Sequence, residues 1–92
     1  APSERVRPAA LASYRRLHAL ALRVVESGGI FCPASCSSHV TVEDFLATVS
    51  EGARDTGRRF ELREIHGAGS DHPVRPEFPE GRYLKFVVGT VS

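Results

Sequence analysis

The segment from Ala9 to Glu26 constrains this chain more than any other, because it holds neither proline nor glycine and stops at Ser27-Gly28-Gly29. That pattern predicts one long helix, with Pro8 at its first turn, where a missing N–H costs nothing. Leu11, Tyr14, His18, Ala21, Leu22 and Val25 recur at the spacing of a single helical face. Leu17, Leu20 and Val24 fall outside that stripe. A helix apolar on two sides needs cover on two sides. One small sheet covers one of them, so the second side predicts an interface. We expect Leu17, Leu20 and Val24 to pair across a C2 homodimer or to meet another protein. The monomeric alternative folds the polar tail or a long loop over them.

The whole chain has 92 residues, which suits one domain: a polar tail over 1–8 and a folded unit over 9–92. Ile30-Phe31-Cys32 reads as a short strand ended by Pro33, and 34–38 as a small polar linker. Thr41 with Asp44 makes an N-terminal cap for a second helix. Its apolar stripe is Val42, Phe45, Leu46, Val49 and Ala53, and Gly57 is its stop. Arg59–His66 alternates for part of its length as a half-buried strand does. The segment 67–81 is a glycine- and proline-rich loop. Arg82–Val91 is the strongest strand, with Leu84, Phe86 and Val88 on one face and Tyr83, Val87 and Val91 on the other, as expected of a central strand. The expected fold is a small two-layer α+β sandwich in the order helix-strand-helix-strand-strand. About three antiparallel or mixed strands carry two helices on one face.

Charge is nearly balanced, with 12 basic against 11 acidic residues, which is too even for a global signature of nucleic-acid binding. Locally it is not balanced. Residues 1–28 carry a net +3 and residues 42–55 a net −3. Two such segments either face each other or face different partners. Eleven of the 12 basic residues are arginine, a bias that a GC-rich genome produces without selection for guanidinium chemistry. No apolar run approaches the ~20 residues that span a bilayer. The start, Ala1-Pro2-Ser3-Glu4, has neither the basic nor the apolar part of a signal peptide, so the expected location is cytoplasmic and no membrane partner is expected.

Cys32, Cys36 and His39 are the residues with metal or redox chemistry. Two thiolates and an imidazole hold zinc if His18, His66 or His72 adds a fourth ligand, but no second ligand pair exists. A Cys32–Cys36 disulfide is wider than a thioredoxin-like spacing. The leading expectation is two buried or half-buried thiols without chemistry and no cofactor. A metal-independent RNA-cleaving, toxin-like domain would use His39, His66 and His72 with Arg63 or Arg82 as acid, base and phosphate cation. Nothing in the spacing brings these together. Gly67-Ala68-Gly69 lies between strands, so it makes no dinucleotide loop.

The expected function is therefore a small non-enzymatic binding or regulatory domain, dimeric and associated with nucleic acid. Arg59, Arg63 and Lys85 are expected to project from one exposed sheet face, with Arg75 in the adjoining loop and Arg82 at the start of the last strand. A helix followed by two strands and a long loop is also how a winged-helix domain ends. The acidic polar face of 42–56 opposes that reading, because phosphate would repel it. A protein-interaction or oligomerisation module is the competing class, and the apolar first helix motivates it.

Overall fold

A computed structural model describes residues 2–67 and 84–92 of the chain, with side chains from Val6 onward. Its elements run in the order α1 (Pro2–Leu22), β1 (Ile30–Phe31), β2 (Ala34–Ser35), α2 (Val42–Asp55), β3 (Phe60–His66) and β4 (Lys85–Val91). The two helices lie side by side on one face of an antiparallel sheet, a small α+β unit.

Helix α1 begins before Pro8, not after it, so the expected polar tail is helical from Pro2. Pro8 is tolerated because it withholds only one early hydrogen bond. At the other end, the β-branched pair Val24-Val25 is a poor helix former, and the chain leaves the helix after Leu22. The freed carbonyls do not go unsatisfied. Arg58 Nη1 donates to Leu22 O at 2.6 Å and to Val25 O at 2.7 Å. Helix α2 matches its expected stripe and cap: Asp44 N–H donates to Thr41 Oγ1 at 3.1 Å, and Gly57 ends the helix with φ +67°.

Strand β4 is central. Strands β1 and β2 share one register along it, pairing Ile30 with Thr90, Phe31 with Gly89, Ala34 with Phe86 and Ser35 with Lys85. Val87 N–H donates to Pro33 O at 3.2 Å in the same register. Residues 30–35 are thus one edge strand with a gap at Pro33, whose ring nitrogen has no hydrogen to return. This corrects the expectation that Pro33 ends the strand. On the other side of β4, β3 pairs from Phe60–Val91 to His66–Phe86 with a register shift between Leu62 and Glu64. The shift absorbs Arg63, so that Leu62 and Ile65 point to the same side despite their odd spacing.

The register sorts the sheet into two faces. Phe31, Ser35, Lys85, Val87, Gly89 and Val91 face the helices, and Ile30, Cys32, Ala34, Phe86, Val88 and Thr90 face away. Phe45, Leu22, Val49, Val87 and Val91 are fully buried between the layers. Burying each such side chain stabilises the fold by about 1.5–3 kcal/mol. Gly89 is required where it sits: a Cβ there would lie 2.4 Å from Phe60 Cζ and 2.6 Å from Glu61 O.

The local charges face each other. Arg7 binds Asp44 through Nε and Nη2, and Arg15 binds Asp55 at 2.7 and 2.8 Å, with Glu51 3.8 Å away. These pairs run in parallel along α1 and α2, so the helices point the same way. At their closest approach Gly52 meets Ala19 N and His18 Cβ, each 3.0 Å from where its Cβ would be. The arginines of α1 that could have met an external polyanion are in part committed to α2.

Candidate functional site: the serine-rich loop and the surfaces beside it

The edge strand delivers Ser35 to the helix-facing side, where its Oγ lies 2.6 Å from Tyr14 Oη. Ser37 N–H then donates to Ser35 Oγ at 3.1 Å, and His39 N–H to Ser37 Oγ at 3.2 Å. Small hydroxyl side chains take up backbone donors in this way and hold a tight loop without secondary structure. Lys85 completes the cluster. It is only 6% exposed, and its Nζ donates to Ser37 O at 2.8 Å. Burial pushes its ammonium below the ordinary lysine range, against a smaller opposing electrostatic contribution from Cys36.

This arrangement corrects the placement expected of Lys85. Strand alternation turns it toward the helices, so it fastens the loop from beneath and does not project from an exposed sheet face. Arg59 and Arg63 are exposed, and Arg63 Nη2 lies 3.6 Å from Glu61 Oε1. Arg75, Arg82 and His72 fall outside the described residues.

The thiols also differ from expectation. Cys32 and Cys36 are free and exposed, neither buried nor bridged. Cys32 sits on the sheet face away from the helices, whereas Cys36 lies past the strand end where the serine turn redirects the chain. Among the described residues, no three histidine, cysteine or acidic side chains gather as a metal site, so Cys32, Cys36 and His39 do not form a ligand set.

The histidines divide by environment. His66 Nε2 is 3.1 Å from Glu64 Oε1, and its ring stacks on Phe86 with centroids 4.5 Å apart. His18 is 3% exposed, among the rings of Tyr14, Phe31 and Phe45, and its Nε2 has no hydrogen-bond partner among the described residues. Burial lowers its pKa to about 4, so the ring is neutral near pH 7. Sequence periodicity placed His18 correctly on the buried stripe, where it packs as an aromatic side chain.

Leu17 and Leu20 on α1 and Val24 in the turn beyond it are 58%, 54% and 82% exposed, which leaves the second apolar side of α1 and its continuation uncovered by any described element. Leu17 also borders a groove of about 240 Å³ whose floor is Ala21, Phe31, Pro33 and Ala34. The stripe is therefore continuous with the edge strand. In that strand the residues between the β4-bonded positions, Ile30, Cys32 and Ala34, direct their backbone N–H and C=O outward. Sequence reasoning identified the stripe but missed this edge, because Pro33 disguised the strand.

No family model matches the chain. It is similar to curated proteins described as ribosomal RNA large subunit methyltransferase I. Identity is 38% over 72 residues with that of Cronobacter sakazakii, 33% over 75 residues with that of Pseudoalteromonas atlantica and 35% over 78 residues with that of Shewanella amazonensis. The matches take in 78% to 85% of this chain but only 18% to 20% of those proteins. The chain thus spans about one fifth of the length of the curated relatives it matches. No helix among the described residues is long and apolar enough to cross a membrane.

Proposed function

We propose that this domain is an RNA-associated part of a protein resembling the large-subunit rRNA methyltransferases. The observation that carries the reading is the similarity over most of the chain, at 33% to 38% identity, to proteins of that description. Methyl transfer, the activity in their name, is assigned to the longer protein and to no residue here. The role proposed for this chain is RNA association. Its test is salt-titrated binding of the 92-residue chain to large-subunit rRNA fragments. Salt-sensitive binding at low ionic strength is expected. Absence of binding at about 20 mM salt, where phosphate contacts are strongest, would overturn the association.

A second reading concerns the uncovered side of α1 and has its own observation. Leu17, Leu20, Val24 and Ile30 are exposed beside an edge strand whose outward backbone groups are intact and whose residues 30–36 carry no charge. Natural edge strands are normally blunted by charge, by proline or by a covering element. Pro33 does not blunt this one, because its missing donor faces β4. The proposed occupant is a strand and helix of the longer protein; a second copy of this chain is the alternative. Light scattering separates them: a monomer at high concentration excludes the homodimer, and a concentration-dependent dimer supports it.

A further inference from the structure

Two basic grooves flank the C-terminal half of the helix layer. One, of about 360 Å³, is lined by Ala12, Arg15, Arg16, Ala19, Arg23 and Asp55, and there Arg15 is already bound to Asp55. The other, of about 300 Å³, is lined by Ser50, Ala53, Arg54, Arg58, Arg59 and Phe60. Three of its six lining residues are arginine and none is acidic.

We propose that this second groove binds the backbone phosphate of an RNA strand, a site that rests on the RNA-associated reading above and gives it a location. Each arginine is held there by a different part of the fold. Arg54 projects from the last turn of α2. Arg58 is anchored through one terminal nitrogen to Leu22 O and Val25 O, which leaves other N–H groups of its planar fork to donate. Arg59 is positioned by its backbone, which exchanges hydrogen bonds with Ser92 at 3.0 and 2.9 Å. Among the described residues, neither the Arg54 nor the Arg59 guanidinium is hydrogen-bonded to a carboxylate, although the Arg54 charge acts on the adjacent Asp55.

Structural duties account for two of the three. A cation at Arg54 suits the negative end of the α2 dipole, and Arg58 caps α1. Neither duty explains Arg59, or why all three line one cleft that lacks an acid. Guanidinium groups suit phosphate oxygens because their paired N–H groups match that geometry. Ser50 adds a neutral hydroxyl, and the half-buried Phe60 ring forms an apolar wall fit for a sugar. A groove with charged donors and an apolar side fits a sugar-phosphate strand better than a bare anion.

The test is fluorescence anisotropy of a labelled single-stranded RNA of about 20 nucleotides with the full chain, titrated with salt, for wild type, R54Q/R59Q and R16Q/R23Q. All four substituted side chains are exposed, so the fold is retained and circular dichroism checks it. R54Q/R59Q is expected to weaken binding about tenfold and to flatten the salt slope by about 1.4, roughly 0.7 for each lost phosphate contact. R16Q/R23Q is expected to change affinity less than about threefold, as a remote loss of charge does. Equal effects of the two double variants, or an unchanged R54Q/R59Q, would overturn the groove and leave RNA association standing. A wild type that binds no RNA would remove both. At matched ionic strength, inorganic phosphate should compete only weakly; displacement of the RNA by micromolar phosphate would reassign the groove to a free anion and overturn the RNA site.

Discussion

The two sides of α1 make opposite use of similar residues. Toward α2 and the sheet, Gly52 lets the helices touch, Arg7 and Arg15 find carboxylates, and Leu22 is sealed beneath the layer, while His18 Nε2 alone is buried without a partner among the described residues. On the far side Leu17, Leu20 and Val24 have comparable hydrophobicity and no described neighbour to cover them. Composition does not separate the sides; position around the helix does. The inner side holds this unit together, and the outer side is available to hold it to something else.

That contrast breaks most severely at the helix contact. Gly52→Val is expected to destabilise the domain by about 3 kcal/mol, because the added side chain meets the α1 backbone at Ala19 N and Arg15 O. Chemical denaturation would show it as a lowered midpoint at unchanged slope.

Acid should act on the same side. His18 titrates near 6.5 when unfolded and about 4 when folded, so the unfolded chain takes up the proton first. The stability from a neutral His18 is fully present above about pH 6.5 and is lost progressively as pH falls to about 4, by about 3 kcal/mol in all. His18→Phe keeps an aromatic ring in place and should abolish that part of the pH dependence, read as melting temperature against pH.

Arg58→Ala removes two charge-assisted hydrogen bonds from the end of α1 and should cost about 1–3 kcal/mol in thermal melts. Arg58→Lys should recover part of the loss.

The smallest effects sharpen the comparison best. Arg15→Ala should leave the melting temperature nearly unchanged, since its ion pair with Asp55 is exposed and screened by solvent. Leu20→Ser with Val24→Ser should leave folding within about 0.5 kcal/mol of wild type while abolishing any association through α1. A large loss of stability in that double variant would mean that the outer side belongs to the core of this unit.

How much of this could be read in the sequence depended on whether the signal was local. Helix α2 was legible because its cap, stripe and stop lie within the segment itself, from Thr41 to Gly57. The second apolar side of α1 was legible for the same reason. Its ends were not, since Pro8 is tolerated and the C-terminal carbonyls are satisfied by Arg58, more than thirty residues away. Lys85 was misplaced because a lysine in a strand is expected to face water, whereas strand alternation turns it toward the helices and Ser37 O accepts from its Nζ there. Of the basic groove, Arg59 stood out in the sequence, whereas its convergence with Arg54 and Arg58 required the turn between α2 and β3. The open edge was hidden by Pro33, whose usual meaning is the end of a strand.

That proline has a kinetic consequence. With no donor at its midpoint, the strand 30–35 is held to β4 there through Pro33 O alone, one hydrogen bond short between its two halves. The amides of Phe31 and Ser35 should therefore exchange with solvent sooner than those along the β3–β4 ladder. A partner strand laid along its outer rim would splice the two halves into one and slow that exchange, so the least secure part of this domain is also the part with most to gain from company.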